Sequence, residues 1–600
     1  MKHHSIYSYG QLFAFSGIDG DTAGARDFCA TFLDAPVTLR FETDPPVTLR
    51  IPIGDGAVFD AIGGDFIDGR SANGGRLLVA FEGARSVVGL APVEPMLDSA
   101  HPEDAPCRLA KEQSGGGWLF RLFFAAPATL PPPADASNTT PSLAAVESGV
   151  RARRAWLEAQ PACPEPGFEG LWAKCLAIEK VNTLSPEGVF PCRWTTPDRV
   201  PHRDMWLWDS AFHAMAMSGS DPALARDAIR AVLERQRPDG FIPHQMRPDG
   251  WASAVTQPQV LAWATLFLHE RAPDADFLAW AAPRLAAFLD WTVRERSPNR
   301  DGLLAWKTGN LAVCRCGESG LDNSPRFDFD DPAIDAIDFS CYLAHDAGCL
   351  ARIWRILGRN AEAAAAEALR DRTAGRINAL LWDERDGLYY DRFADGRLTH
   401  VASVASFLPL WAGVCPPERA ARLVAALADP VRFWTALPVP SIARNAPQYD
   451  TDMWRGCSWL NLDYFLWLGL RRYGYEAEAA ELRRRVLAAV NKWYLRLGTV
   501  FEFYDADDAL SPFELKRKGP PVLPPDWRSH MHSISDYHWS AAFTRLFLEG
   551  RRRFGEQRRR GEGRGAHASA RARQGADNVW SPCLFGFDSL RPVPARRVSR

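Results

Sequence analysis

The chain has 600 residues, more than one ordinary domain, and its 46% hydrophobic and 24% charged side chains describe a globular protein able to bury a large core. A formal net charge of −3 singles out no polyanionic or polycationic partner. No apolar run reaches the roughly 18 residues a membrane helix needs, and the opening Met1-Lys-His-His-Ser-Ile-Tyr7 lacks an apolar signal core, so a cytoplasmic enzyme with no membrane partner is expected.

In chain order, residues 1–126 read as a β domain. Val37-Thr-Leu-Arg-Phe-Glu42 and Val47-Thr-Leu-Arg-Ile51 alternate apolar and polar side chains around Asp44-Pro45-Pro46, the period of two strands joined by a turn. Leu77–Phe81, Val87–Leu90 and Trp118–Phe124 add further short strands, which predicts an antiparallel, sandwich-like sheet arrangement. Residues 127–141 contain five prolines and form a semi-rigid linker.

From residue 142 the period becomes helical. Asp221-Pro222 and Asp331-Pro332 each place an N-cap acceptor before a proline, whose missing N–H costs nothing in a first helical turn. Gly358 and Gly474 stand where two helical runs must stop and reverse. Ile334–Leu357 is apolar on most faces, whereas Ala361–Leu380 carries Glu362, Glu367, Arg370, Asp371 and Arg376 around a narrower apolar stripe. About a dozen such runs in 142–554 predict six helical hairpins in two layers. Residues 555–600, arginine-rich and without apolar periodicity, are expected to be disordered, and no nucleic-acid-binding fold accompanies them.

Twelve cysteines are scattered without secretory features and are expected to remain thiols. Cys314-Arg-Cys316 lacks a second pair at zinc-site spacing, and His202, His213, His244, His530, His532 and His538 follow no ligand pattern. Neither a phosphate-cradling glycine loop nor a dinucleotide fingerprint is present, so no metal or organic cofactor is expected.

Four clusters concentrate the chemistry. Glu318-Ser-Gly-Leu-Asp322-Asn-Ser-Pro-Arg326-Phe327 crowds two acids, an amide and an arginine onto a stretch where Gly320 permits a tight turn and Pro325 forbids a regular helix. Arg203-Asp-Met-Trp-Leu-Trp208-Asp209-Ser-Ala-Phe212 and Tyr449-Asp-Thr-Asp-Met-Trp454-Arg455-Gly-Cys-Ser-Trp459 set tryptophans against acids and arginine, and Val500-Phe-Glu502-Phe-Tyr-Asp505 isolates one glutamate among rings.

Together these motifs resemble glycoside hydrolase family 63 and its trehalase relatives, the bacterial mannosylglycerate and glucosylglycerate hydrolases being nearest in pattern. The resemblance runs from about Phe168 to Leu548. It implies an (α/α)6 barrel behind the β domain, and an inverting hydrolysis of a small α-linked glucoside or mannoside in which Asp322 matches the general acid and Glu502 the general base. Such pairs typically stand about 6.5–9.5 Å apart, leaving room for the attacking water. By the same resemblance Arg203, Arg326 and Arg455 offer planar forks to sugar oxygens, Trp208, Trp306 and Trp454 cover ring faces, and Asp209 and Gln257 add polar contacts. The stretch after Glu502, Phe-Tyr-Asp-Ala-Asp-Asp508, departs from the endings of those relatives, and the first 140 residues match none of them. A trehalase-like enzyme, a phosphorylase, lyase or epimerase on a helical barrel, and a non-catalytic sugar-binding protein are the alternatives. Retention of both carboxylates argues against the last, and an intact Glu502 against a phosphorylase.

Overall fold

Val37–Phe41 and Val47–Ile51 pair antiparallel, Val37 opposite Ile51 and Phe41 opposite Val47, so that Val37, Leu39, Phe41, Val47, Leu49 and Ile51 are buried while Arg40 and Arg50 face solvent. The computed structural model describes residues 11–550 apart from 24–28, 34–36, 42, 44–45, 55–56, 100–106, 125–138, 310, 312, 330–332, 524–525 and 527–528. Pro127–Pro133 and the tail 555–600 therefore lie outside the described residues.

Among the described residues, eleven strands precede the helices: β1 (Gln11–Ala14), β2 (Cys29–Leu33), β3 (Val37–Phe41), β4 (Val47–Ile51), β5 (Val58–Ile62), β6 (Phe66–Arg70), β7 (Arg76–Phe81), β8 (Ser86–Ala91), β9 (Met96–Ser99), β10 (Cys107–Ser114) and β11 (Gly117–Phe124). They form two antiparallel sheets, ordered β1-β2-β3-β4-β9 and β10-β11-β8-β7-β6-β5. The sheets share one apolar core, in which Phe13 meets Phe81 at 5.0 Å and Phe41 meets Phe124 at 4.8 Å between ring centroids. The other face of the second sheet is covered by helix α1 (Leu143–Glu158), whose Val146 and Val150 pack on Leu78, Ala80 and Val88.

Beyond α1, helices alternate among the described residues with long connecting segments and three two-stranded ribbons; the helices are α2 (Glu169–Val181), α3 (Leu207–Met217), α4 (Pro222–Leu233), α5 (Leu261–Arg271), α6 (Ala275–Glu295), α7 (Ile337–Ile356), α8 (Asn360–Leu380), α9 (Leu408–Ala412), α10 (Pro417–Leu427), α11 (Leu460–Arg472), α12 (Glu476–Leu497) and α13 (His538–Glu549). Helices α3, α5, α7, α9, α11 and α13 each pack against the next, and α13 returns to α3. Their neighbours α4, α6, α8 and α12 lie against them and are buried on fewer positions: α7 is buried over most of its length, α8 at Ala363, Ala366, Thr373 and Ile377. None of the described helices is long and apolar enough to cross a membrane.

Local chemistry sets these boundaries. The Asp221 side chain accepts from Leu224 N at 2.9 Å and Pro222 occupies the first turn of α4. Asp331 and Pro332 lie outside the described residues, and α7 begins only at Ile337. Gly358 and Gly474 take φ of 72° and 84°, the left-handed conformation that lets α7 turn into α8 and α11 into α12.

The first sheet braces segments that precede the inner helices. The buried Arg199 guanidinium donates to Phe15 O at 3.2 Å and Val181 O at 2.8 Å, and Leu12 N donates to Asp536 Oδ2 at 3.0 Å. Lys180, on α2, pairs with Asp65 at 2.6 Å.

Candidate active site

A cavity of about 270 Å³ opens at one end of the helical region. Its walls come from the segments that lead into the N-termini of the inner helices: Trp206, Trp208 and Asp209 at α3, Gln257 before α5, Asp322 before α7, Trp454 and Trp459 before α11, and Tyr537 and Trp539 at α13. Glu502, Arg517 and Lys518 close it from the segment between α12 and α13.

Asp322 is presented between two short 3-10 turns, Gly317–Ser319 and Pro325–Phe327. Gly320 is required there: its φ is 74°, and a Cβ would stand 2.4 Å from the Trp208 ring. Glu318 does not face the cavity. It is 1% exposed, pairs with Arg296 at 2.7 Å, and accepts from Thr256 N at 3.1 Å and Lys307 N at 2.7 Å, which pins the loop. Asn323 ties this loop to the next cluster by accepting from Trp454 N at 3.1 Å and donating to Asp452 Oδ1 at 3.1 Å.

Each proposed catalytic carboxylate has its own cation. Lys518 Nζ lies 2.6 Å from Asp322 Oδ2. Burial, the largest single influence, pushes the Lys518 ammonium down, but the charge and hydrogen bond of Asp322 together with Cys314 outweigh it and leave the ammonium above its ordinary value. Arg517 donates through Nε to Glu502 Oε2 at 2.7 Å and through Nη2 to Oε1 at 3.3 Å. Glu502 sits between Phe501 and Phe503, with its backbone N donating to Ile534 O at 2.8 Å.

The floor is apolar and ring-lined. Trp454 stacks on Trp459 at 3.6 Å, and Trp208 and Trp459 meet Trp539 edge-on at 5.3 and 5.7 Å. Asp209 is 2% exposed, and burial first, then the nearby Glu502 charge, push its carboxyl well above the usual range. Gln257 Oε1 accepts from Trp208 N at 3.2 Å. His244 is pulled down to about 4 by burial, against the opposing Asp322 charge, and is therefore neutral. Cys314 is pushed up to about 11 by burial and then by Asp322, a thiol rather than a thiolate. The eleven described cysteines are all free. Among the described residues, Asp383, Asp386 and His400 bring three potential metal-ligand atoms within 4.8 Å of one another, at a turn outside the cavity lining.

Of the ten residues expected from sequence, Asp322, Glu502, Trp208, Asp209, Gln257 and Trp454 line the cavity, and Arg203, Trp306, Arg326 and Arg455 do not. Arg326 is fully buried and saturated, forked onto Asp338 at 2.6 and 2.8 Å and onto Asp391 at 2.8 Å twice. Trp306 stacks on Phe339 at 3.5 Å and donates its Nε1 to Asp338 at 2.9 Å. Arg455 is forked onto Asp328 at 3.2 and 2.7 Å and donates to Asn323 O at 3.0 Å. Arg203 is half-buried in the segment before α3. Arg517, Lys518, His202, His244 and Tyr537 reach the cavity unannounced by the motifs. The basic run Lys516-Arg517-Lys518, fifteen residues after Glu502, was the one available signal.

A tryptophan-walled cavity bearing carboxylates, set in a mainly helical fold with N-terminal sheets, suits a carbohydrate ligand, and the family match and the relatives make the chain a glycoside hydrolase. Residues 201–540, more than half of the 600, match the mannosylglycerate hydrolase MGH1-like glycoside hydrolase domain, and the chain belongs to that family. It is 27% identical over 390 residues to the mannosylglycerate hydrolase of Thermus thermophilus, covering 52% of this chain and 91% of that one. It is likewise 27% identical over 423 residues to mannosylglycerate hydrolase MGH1 of Selaginella moellendorffii, covering 56% of this chain and 82% of that one. In fold it is similar to the crystal structure of a GH63 mannosylglycerate hydrolase from Thermus thermophilus in complex with Tris and D-glycerate, with a TM-score of 0.51 and 23% identity over 64% of this chain and all of that one.

Proposed function

We propose that this chain is an inverting α-glycosidase built on an (α/α)6 barrel, with residues 142–554 as its catalytic domain, and that it hydrolyses a small α-linked mannoside or glucoside. The closed succession of α3, α5, α7, α9, α11 and α13 supports the barrel. The observation that carries the reaction is that Asp322 and Glu502, from loops far apart in sequence, reach one ring-walled cavity. In the reading proposed, Asp322 protonates the glycosidic oxygen as the C–O bond breaks. Glu502 removes a proton from the water that attacks the anomeric carbon from the opposite face, so the configuration inverts. A cavity of about 270 Å³ suits a small glycoside, near the low end of the roughly 300–1,000 Å³ usual for ligand sites.

Lys518, on the Asp322 side, favours a leaving group bearing a carboxylate, which glycerate has. A hydrolysis screen over mannosyl- and glucosylglycerate, trehalose and other α-glucobioses tests this. Turnover is expected to be fastest on a glycosylglycerate, and hydrolysis of none of these small α-glycosides would refute the reading.

A further inference from the structure

Glu502 does not stand alone against Arg517. Arg517 Nη2 also lies 2.9 Å from His202 Nε2, and His202 Nδ1 lies 2.7 Å from Asp198 Oδ2, while Asp198 Oδ1 accepts from His202 N at 3.1 Å. The four side chains are buried or nearly so, with Asp198 2%, Arg517 5% and Glu502 3% exposed and the His202 side chain 19% exposed.

The donor inventory fixes the direction of every bond. A guanidinium has five N–H donors and no acceptor. His202 Nε2 must therefore accept from Arg517, which leaves the ring hydrogen on Nδ1, donated to Asp198. Arg517 thus spends Nε on Glu502 Oε2, one Nη2 hydrogen on Oε1 and the other on His202, and Nη1 on His530 O at 3.3 Å. The segment carrying Asp198 is itself held, since the adjoining Arg199 is anchored to Phe15 O and Val181 O and Thr196 Oγ1 donates to Asp198 O at 2.9 Å.

We propose that Asp198 and His202 are positioning residues of the reaction: they hold Arg517 in the plane that turns the Glu502 carboxylate toward the attacking water. The inference rests on reading Glu502 as the general base. A base that must meet water in line with the scissile bond tolerates little displacement, and an error of about 1 Å can cost about 10²-fold in rate. A ring nitrogen whose own orientation is fixed by Asp198, acting with the Glu502 carboxylate, confines the Arg517 plane more tightly than charge attraction alone, which Lys would also supply.

The test is kcat and KM, on the substrate the screen identifies, for His202→Phe, His202→Gln, Asp198→Asn and Glu502→Gln, with thermal unfolding of each. Glu502→Gln should be inactive. His202→Phe should lose up to about 10²-fold in kcat with little change in KM. His202→Gln can accept from Arg517 through its carbonyl and donate to Asp198 through its amide, and should restore most of that loss, which a merely structural role would not require. Asp198→Asn turns one acceptor into a donor and should lower kcat by disturbing the ring tautomer; it also serves if His202→Phe fails to fold. Turnover by Glu502→Gln would overturn the base assignment itself. An inactive Glu502→Gln beside His202→Phe and Asp198→Asn at wild-type kcat would overturn the positioning role alone.

Discussion

The ammonium of Lys518 stands 2.6 Å from the Asp322 carboxylate, the two residues meeting across the cavity from loops on different sides of α11. In the reaction proposed, this pair lies on the side where the leaving group departs, and Lys518 is the cation there that can meet a carboxylate on it. Lys518→Met is accordingly expected to lower kcat/KM on a glycosylglycerate by about 10-fold or more, the worth of one charge-assisted hydrogen bond at roughly 1.5–3 kcal/mol. The same variant should change kcat/KM on the matching glycosylglycerol much less. Parallel kinetics on the two substrates measures this, and an equal loss on both would show that Lys518 does not read the leaving group's charge.

Gly320→Ala is expected to abolish most activity while costing about 1–3 kcal/mol of stability, the range for overpacking. The added Cβ would lie 2.4 Å from the Trp208 ring and the residue would keep a φ of 74°, so the cavity wall must shift. Activity and denaturant midpoint measured on one preparation check the two effects together.

Arg326→Met should act on stability, not on substrate affinity. It strands Asp338 and Asp391 in a buried site without their shared cation, and breaking such a pair typically costs about 3–5 kcal/mol. Chemical denaturation gives the answer; an unchanged midpoint with a raised KM would restore Arg326 to a binding role.

His213 and His538 stack at 3.4 Å with 7° between their planes, both fully buried. Burial first lowers both, His213 well below its ordinary value and His538 to about 3 from 6.5. The unfolded chain therefore binds more protons than the folded one between those limits. Stability is retained above about pH 6.5 and is lost as pH falls toward 3, at about 1.4 kcal/mol per pH unit for each histidine. The difference in unfolding free energy between wild type and His213→Phe, followed from pH 7 to 4, isolates this contribution from the carboxyls. The variant should gain relative stability as pH falls; a pH-independent difference would contradict the assignment.

Much of the fold is legible where side-chain period and capping chemistry are local. Strands β3 and β4 alternate apolar and polar side chains, with every apolar one buried and Arg40 and Arg50 exposed, and the Asp221-Pro222 cap and the two reversing glycines need nothing beyond their neighbours. Strand β10, Cys-Arg-Leu-Ala-Lys-Glu-Gln-Ser, is a largely exposed edge and carries no such period, so its pairing with β11 is invisible until the sheet exists. The site shows the same division. Asp322, Glu502 and Trp208 were marked by the motifs around them, but membership of a motif does not say which way a side chain points. Arg326 shares one of those motifs, and Trp306 was expected from the family resemblance, yet both turn inward to Asp338. His202 and Arg517 lie 315 positions apart, and only folding brings them together.

The mechanism proposed needs an acid and a base of fixed identity acting with inversion. The most direct measurement is proton NMR of the first sugar released from an α-glycoside by the wild-type protein. The β-anomer should appear first and then mutarotate if, as proposed, water activated by Glu502 displaces the leaving group protonated by Asp322 in a single step. Release of the α-anomer first would show retention and contradict the account.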